Sequence, residues 1–139
     1  MLTRALFAIA LICGSVGPVS AEAPKVLALG LADHEVTQEE AAKGEPLAPP
    51  RFNSPGVAYA LVEGLKQGDL VEIALVKGDK HLLHNAETLA EDQPRFLLQA
   101  GKRGVPAGGW PEGEYHAALK VTRDGKVLIE QTSKATAFE

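Results

Sequence analysis

The sequence predicts an all-β fold, a sandwich of about seven short strands with one short surface helix. Three observations carry that prediction. Through most of the chain apolar and polar residues alternate with a period of two, which places every second side chain on one face of a strand. Turn-forming residues recur at short intervals, and two connections, Gly78-Asp79 and Asp124-Gly125, are only two residues long, as tight antiparallel hairpins require. A single segment carries the start and stop signals of a helix, too little for a helical or βαβ architecture.

The first 21 residues stand apart from this pattern. Arg4 puts a positive charge near the start, an apolar run covers residues 5–12, and Val19-Ser20-Ala21 places small side chains at a boundary. A signal peptidase reads that order of charged, apolar and small regions. Residues 1–21 are therefore predicted to be a cleaved signal peptide, and residues 22–139 a single exported domain. Ala21-Glu22-Ala23 repeats the small-x-small pattern and offers a second cut two residues later. The apolar run falls short of the ~20 residues that cross a bilayer, so no membrane span is expected after cleavage. Ile12 is too bulky to precede a lipoprotein cleavage site at Cys13.

Cys13 is the sole cysteine and departs with the signal, leaving a domain without disulfide, thiol nucleophile or thiolate metal site. That domain enters a compartment where disulfides form, so burial alone must stabilise it. Cleavage also removes Arg4 and leaves 13 basic against 18 acidic residues. Such a balance argues against nucleic acid and anionic lipid, both of which are held through Lys and Arg. The expected location is the periplasm or the exterior, and the expected partner another exported or envelope protein.

Along the mature chain, Lys25–Ala32 (KVLALGLA) is a first apolar run, fit for an edge or switching strand. Residues 33–50 form a long polar, Pro-rich connection that holds the helix. There Thr37 and Glu40 make a capping box, and Gly44 suits the left-handed stop. The helix has almost no apolar stripe, which assigns it to the surface, and Pro46, Pro49 and Pro50 keep the chain extended beyond it. Strands follow at residues 57–63 (VAYALVE), Leu70–Lys77 (LVEIALVK), 80–85 (KHLLHN) and 95–100 (RFLLQA). Val71, Ile73 and Leu75 share one face of the second of these. Glu114–Arg123 comes next, with Tyr115, Ala117, Leu119 and Val121 on one face and His116, Lys120 and Thr122 on the other. Asp124-Gly125 then turns the chain into Lys126–Thr132 (KVLIEQT).

The stretch Gly109-Trp110-Pro111-Glu112-Gly113-Glu114-Tyr115, followed by an alternating strand and Asp124-Gly125-Lys126, resembles the C-terminal half of immunoglobulin-like or fibronectin-III-like domains of bacterial exported proteins. In those domains a turn of W-P-x-G-x-Y type delivers a Tyr into the penultimate strand. The turn at residues 64–69 also resembles their connection between second and third strands. The likeness covers most of residues 51–139 and implies an immunoglobulin-like β-sandwich. It implies no particular function, because members serve as spacers, binding modules and accessory subunits. The inter-sheet cysteines and third-strand Trp of antibody domains are missing here, so antibody-type recognition does not follow.

Four histidines are the candidate metal ligands: His34, His81, His84 and His116. His81 and His84 lie three apart, which on a strand sends the rings to opposite faces, so they share an ion only if a bulge intervenes. His116 points away from the expected core and is expected near Glu130 across the last hairpin. A Cu or Zn site built from His81, His116 and an acidic residue is the alternative function, that of a small periplasmic metal-binding protein. Otherwise no cofactor is expected. Nor is catalysis: there is no Gly-x-Ser-x-Gly elbow, Ser54 precedes a proline, and Ser133 sits near a strand end. The adjacent acids Glu39-Glu40 and Glu91-Asp92 fall in polar connections, and Gly101-Lys102-Arg103-Gly104 lacks P-loop spacing.

Residues 101–113 (GKRGVPAGGWPEG) hold five glycines, two prolines and the only Trp. Two arrangements are open. In one, Trp110 plugs the end of the core while the glycines supply the turns. In the other, the loop binds, with Trp110 as aromatic anchor and Lys102 and Arg103 selecting an acidic partner. A mature domain with six aromatics can ill spare its largest for solvent, which favours the plug. The expected function is an exported, non-catalytic binding or accessory module.

Overall fold

Alternation breaks down in the run Gly56–Leu65, and the fold is arranged around that run. In the computed structural model, which describes residues 23–44, 47–102 and 107–138, residues 56–62 are buried without a break. The predicted signal peptide and Arg103 lie outside the described residues. In chain order the elements are β1 (Lys25–Ala32), α1 (Gln38–Ala42), β2 (Gly56–Leu65), β3 (Leu70–Lys77), β4 (Lys80–Thr88), β5 (Gln93–Lys102), β6 (Glu114–Arg123), β7 (Lys126–Thr132) and β8 (Thr136–Ala137). One sheet has the order β1-β2-β5. The other has the order β4-β3-β6-β7, with β8 added alongside the start of β6. Every pairing is antiparallel. This is the immunoglobulin-like strand order, with the fourth strand joined to the third.

The core lies between the sheets. Ala58, Ala60 and Val62 of β2 face Val71, Ile73 and Leu75 of β3 and Ala117, Leu119 and Val121 of β6, all essentially buried. The intervening residues of β2, Tyr59 and Leu61, point the other way and are buried too. Residues of the 33–50 connection cover them: Val36 and Ala41, with Leu47 packed alongside, form a second small core with Ala32, Tyr59 and Leu61. Within this connection α1 lies at the surface, as expected: Ala41 is buried, Glu40 half-buried and the rest of the helix exposed. A strand buried on both faces reads as a continuous apolar run, and VAYALV is such a run.

The connection is held by polar contacts as well as by burial. Gln99 on β5 accepts a hydrogen bond from the Val36 N–H at 2.8 Å and donates to the Val36 carbonyl at 3.0 Å. The capping box forms as expected, with the Glu40 N–H donating to Thr37 Oγ1 and the Thr37 N–H donating to Glu40.

Asp69 closes one end of the sandwich. Its carboxylate is fully buried, accepts from the Lys66 N–H at 2.8 Å, and meets both Nε and Nη2 of Arg123 at 2.8 Å. Its carbonyl accepts from the Leu89 N–H, and Asp92 accepts from the Gln67 N–H. The β2–β3 turn, the β4–β5 connection and the end of β6 are thereby tied together. Burial pushes the Asp69 carboxyl up, but the hydrogen bonds from Arg123 and Lys66 outweigh it and hold the group below its ordinary value.

Breaking one side of a buried ion pair strands the other charge and costs about 3–5 kcal/mol. Asp69→Asn is accordingly expected to lose stability of about that size in urea denaturation. A loss under ~1 kcal/mol, the scale of an exposed pair, would show that the clamp is dispensable.

Candidate functional site

The opposite end of the sandwich gathers the residues that the sequence singles out. Trp110 is 7% exposed. Its indole N–H donates to the Ser54 carbonyl at 2.8 Å and its backbone N–H to the Phe52 carbonyl at 2.8 Å. The ring stands edge-on to Tyr115 and Phe138, which stack on each other at 3.9 Å. It also lies close against the chain at Gly56, where an added Cβ would come within 2.9 Å of the indole. Trp110 is therefore a plug whose polar edge is satisfied, not a solvent-facing anchor. Tyr115 donates its hydroxyl to the Pro111 carbonyl four residues upstream, the tyrosine corner of immunoglobulin-like sandwiches. Lys102 is the last residue of β5, opposite Gly56.

Beside this plug lies a cleft of about 420 Å³ lined by Asp33, His34, Glu35, Pro55, Val57, Gln99 and Gly101. Its polar wall is fixed in place. His34 Nδ1 lies 2.7 Å from Asp33 Oδ1, and Nε2 lies 2.8 Å from Glu40 Oε2. The other oxygen of Glu40 is held by the capping box, so the helix start aims a carboxylate at the imidazole. The hydrogen bonds to Asp33 and then Glu40 raise the His34 pKa above its ordinary 6.5. In turn the bond to His34, then that from Thr37, lowers Glu40 below 4.5. Sequence reasoning missed this cluster. The signal available was the capping box, which orients Glu40 toward the chain just before it.

A second concavity, of about 300 Å³, lies on the outer face of the larger sheet. Register lays that face out in rows. Glu72, Lys120 and Glu130 stand abreast on β3, β6 and β7; His84, Ala74, Ala118 and Thr132 form the next row; His81, Val76 and His116 form the third. Small side chains at Ala74 and Ala118 make the floor, and the long polar ones make the rim. Two expectations are corrected here. Glu130 lies opposite Lys120, not near His116. And His81 and His84 share a face, because β4 carries an extra residue, Leu82, between the positions opposite Leu75 and Val76. That bulge cancels the opposition that a three-residue spacing otherwise imposes. His81 and His116 flank Val76 from either side, separated by two strand spacings or ~9.6 Å of backbone. Among the described residues no three His, Cys, Asp or Glu side chains stand close enough to hold a metal ion.

The serines have structural duties. Ser54 Oγ accepts from the Arg51 N–H at 2.8 Å, and Ser133 Oγ accepts from the Ala117 N–H at 2.8 Å. Each adjacent acid pair likewise supplies a capping carboxylate, Glu40 in one and Asp92 in the other.

Two outcomes follow. Trp110 emission is expected to be blue-shifted and protected from iodide or acrylamide quenching, and free access of quencher would contradict the plug. The His34 contact is also pH-dependent on both flanks. A raised histidine contributes stability fully below 6.5 that is lost as pH rises through the folded value. A lowered carboxyl contributes above 4.5 and is lost as pH falls through its folded value. The contact is thus at full strength between these limits. NMR titration should place His34 above 6.5 in the wild type and return it toward 6.5 in Glu40→Gln, whereas an unchanged titration in the variant would refute the coupling. As for known proteins, the chain matches no protein-family model, and no curated protein is significantly similar to it.

Proposed function

We propose that the chain is an exported, non-catalytic binding or accessory module of immunoglobulin-like type, and that it engages its partner through the cleft beside the Trp110 plug. The observation that supports this reading is the preformed character of that cleft. Its volume of about 420 Å³ falls in the range of ligand sites, which pair apolar walls with a few fixed polar groups. Here Val57 and Pro55 supply the apolar side, and Gln99 and His34 are both locked by two hydrogen bonds. Export rests on the signal-peptide pattern of residues 1–21. The absence of a catalytic role fits the employment of Ser54 and Ser133 in backbone capping.

The partner this cleft suits is a segment of another exported or envelope protein that carries both charge signs. Its cationic group would meet Asp33 and Glu35, and its acidic group would meet Lys102 and Arg103. Capture from an envelope extract, quantified by mass spectrometry, tests the reading. A specific partner should be retained by the wild type and by Glu91→Lys, which changes an exposed charge at the far end. The same partner should be lost by Glu35→Lys and by a Lys102→Glu, Arg103→Glu double variant. Recovery of no partner, or of the same proteins by all four chains, would overturn the proposal.

A further inference from the structure

We infer that His81 and His84 form a two-histidine site for a borderline divalent metal ion, of the Cu(II) or Zn(II) class, on the outer face of the larger sheet. The argument begins with the bulge. His84 stands opposite Ala74 and His81 opposite Val76, two residues further along β3. With Leu82 absorbed as the extra residue, the two histidines occupy the places of an alternating pair on one face. Their backbones are therefore ~6.6 Å apart along the strand. Two imidazoles at that separation on one face of a strand can share one ion. Ala74, opposite His84, presents only a methyl group to the approach, and Val76 stands opposite His81.

The second observation is Glu72. Its Oε1 lies 3.4 Å from His84 Nε2. A histidine that ligates a metal generally offers its other nitrogen to a carboxylate, which fixes the ring and raises its basicity. Glu72 is in position to do this for His84, leaving Nδ1 for the ion. Imidazole donors suit Cu(II), Zn(II) and Ni(II) rather than Ca(II) or Mg(II). Both rings are exposed at the rim of the 300 Å³ concavity, so the ion would have protein on one side only. Its remaining positions would open over the floor made by Ala74 and Ala118, where water or a group from another molecule completes the shell. Lys120 and Glu130 on the far rim set the charge that such a group meets. This site is separate from the cleft beside Trp110, and it stands whether or not that cleft binds a partner.

The test is calorimetric titration of the tag-free full chain with Cu(II) and, separately, Zn(II). Cys13→Ser is included so that the sole thiol does not compete. One equivalent of metal is expected to bind, with nitrogen ligation visible in the Cu(II) electron paramagnetic resonance spectrum. His81→Gln and His84→Gln should each weaken binding by at least ~10-fold, and Glu72→Gln by ~10–100-fold, the range of lost carboxylate support. His34→Gln should leave it unchanged. His81, His84 and Glu72 all lie on the outer face, so their substitution leaves the core untouched. Three results would overturn the assignment: no saturable one-equivalent binding, binding that survives either histidine substitution, or binding that is lost in His116→Gln but kept in His84→Gln. The last would move the ion to the His81–His116 pair.

Discussion

A single constraint organises this domain: β2 is apolar on both faces, so both faces must be covered. The second sheet covers one, as in any sandwich. The other would present Tyr59 and Leu61 to water if the chain between β1 and β2 did not fold back over it. Val36 and Ala41 do the covering, Ala41 from within α1 and Val36 from the stretch before it that Gln99 pins. The connection is therefore long for a reason. Its length gives one sheet a third layer, and the place where that layer meets the sandwich end becomes the cleft lined by Asp33, His34 and Glu35.

The ends of the sandwich solve a related problem by different means. Where β2 turns into β3, the Lys66 N–H and the Arg123 guanidinium converge on one buried carboxylate, and Arg123 neutralises it. At the other end the solution is aromatic. Trp110, Tyr115 and Phe138 fill the opening, and each polar atom of the first two finds a backbone carbonyl. With Cys13 as its sole cysteine, the chain has no internal disulfide to hold its sheets together. These two closures are the interactions that take that part, one electrostatic and one by packing.

Much of this was legible from the residues alone. Alternation, two-residue turns and the Thr37–Glu40 box located β1 to β7 and α1, because each depends on neighbours within a few positions. Turn chemistry held as well: Asp124 and Gly125 both take positive φ, at 52° and 77°, as a primed hairpin asks. What escaped were features decided by distant segments. β8 is two residues long and forms because Phe138 is drawn into the Trp110 cluster. Glu130 faces Lys120 because an extra residue in β7, between the partners of Val121 and Thr122, shifts the pairing. His81 and His84 share a face because of Leu82. Period-two reasoning is sound for a regular ladder, and a single bulge inverts every conclusion drawn across it.

The bulges themselves share a location that explains them. Register breaks between Val26 and Ala28 in β1, between Leu75 and Val76 against β4, and between Val121 and Thr122 against β7. The extra residues are Leu27, Leu82 and Leu128, and all three sit on strands at the margin of a sheet. A central strand would have to break two ladders to accommodate an insertion, whereas a marginal strand breaks one. A twisted, bulged margin is also a poor template for pairing with another chain, and β5, the remaining margin, carries Pro94 in an exposed position. The bulge that aligns His81 with His84 therefore has an architectural reason of its own. It protects an edge, and in doing so it brings two imidazoles to one side of an exposed marginal strand. Edge protection alone would be met by any side chains at those two positions; it is the pairing of histidines there, with Glu72 already beside one of them, that gives the bulge a chemical consequence.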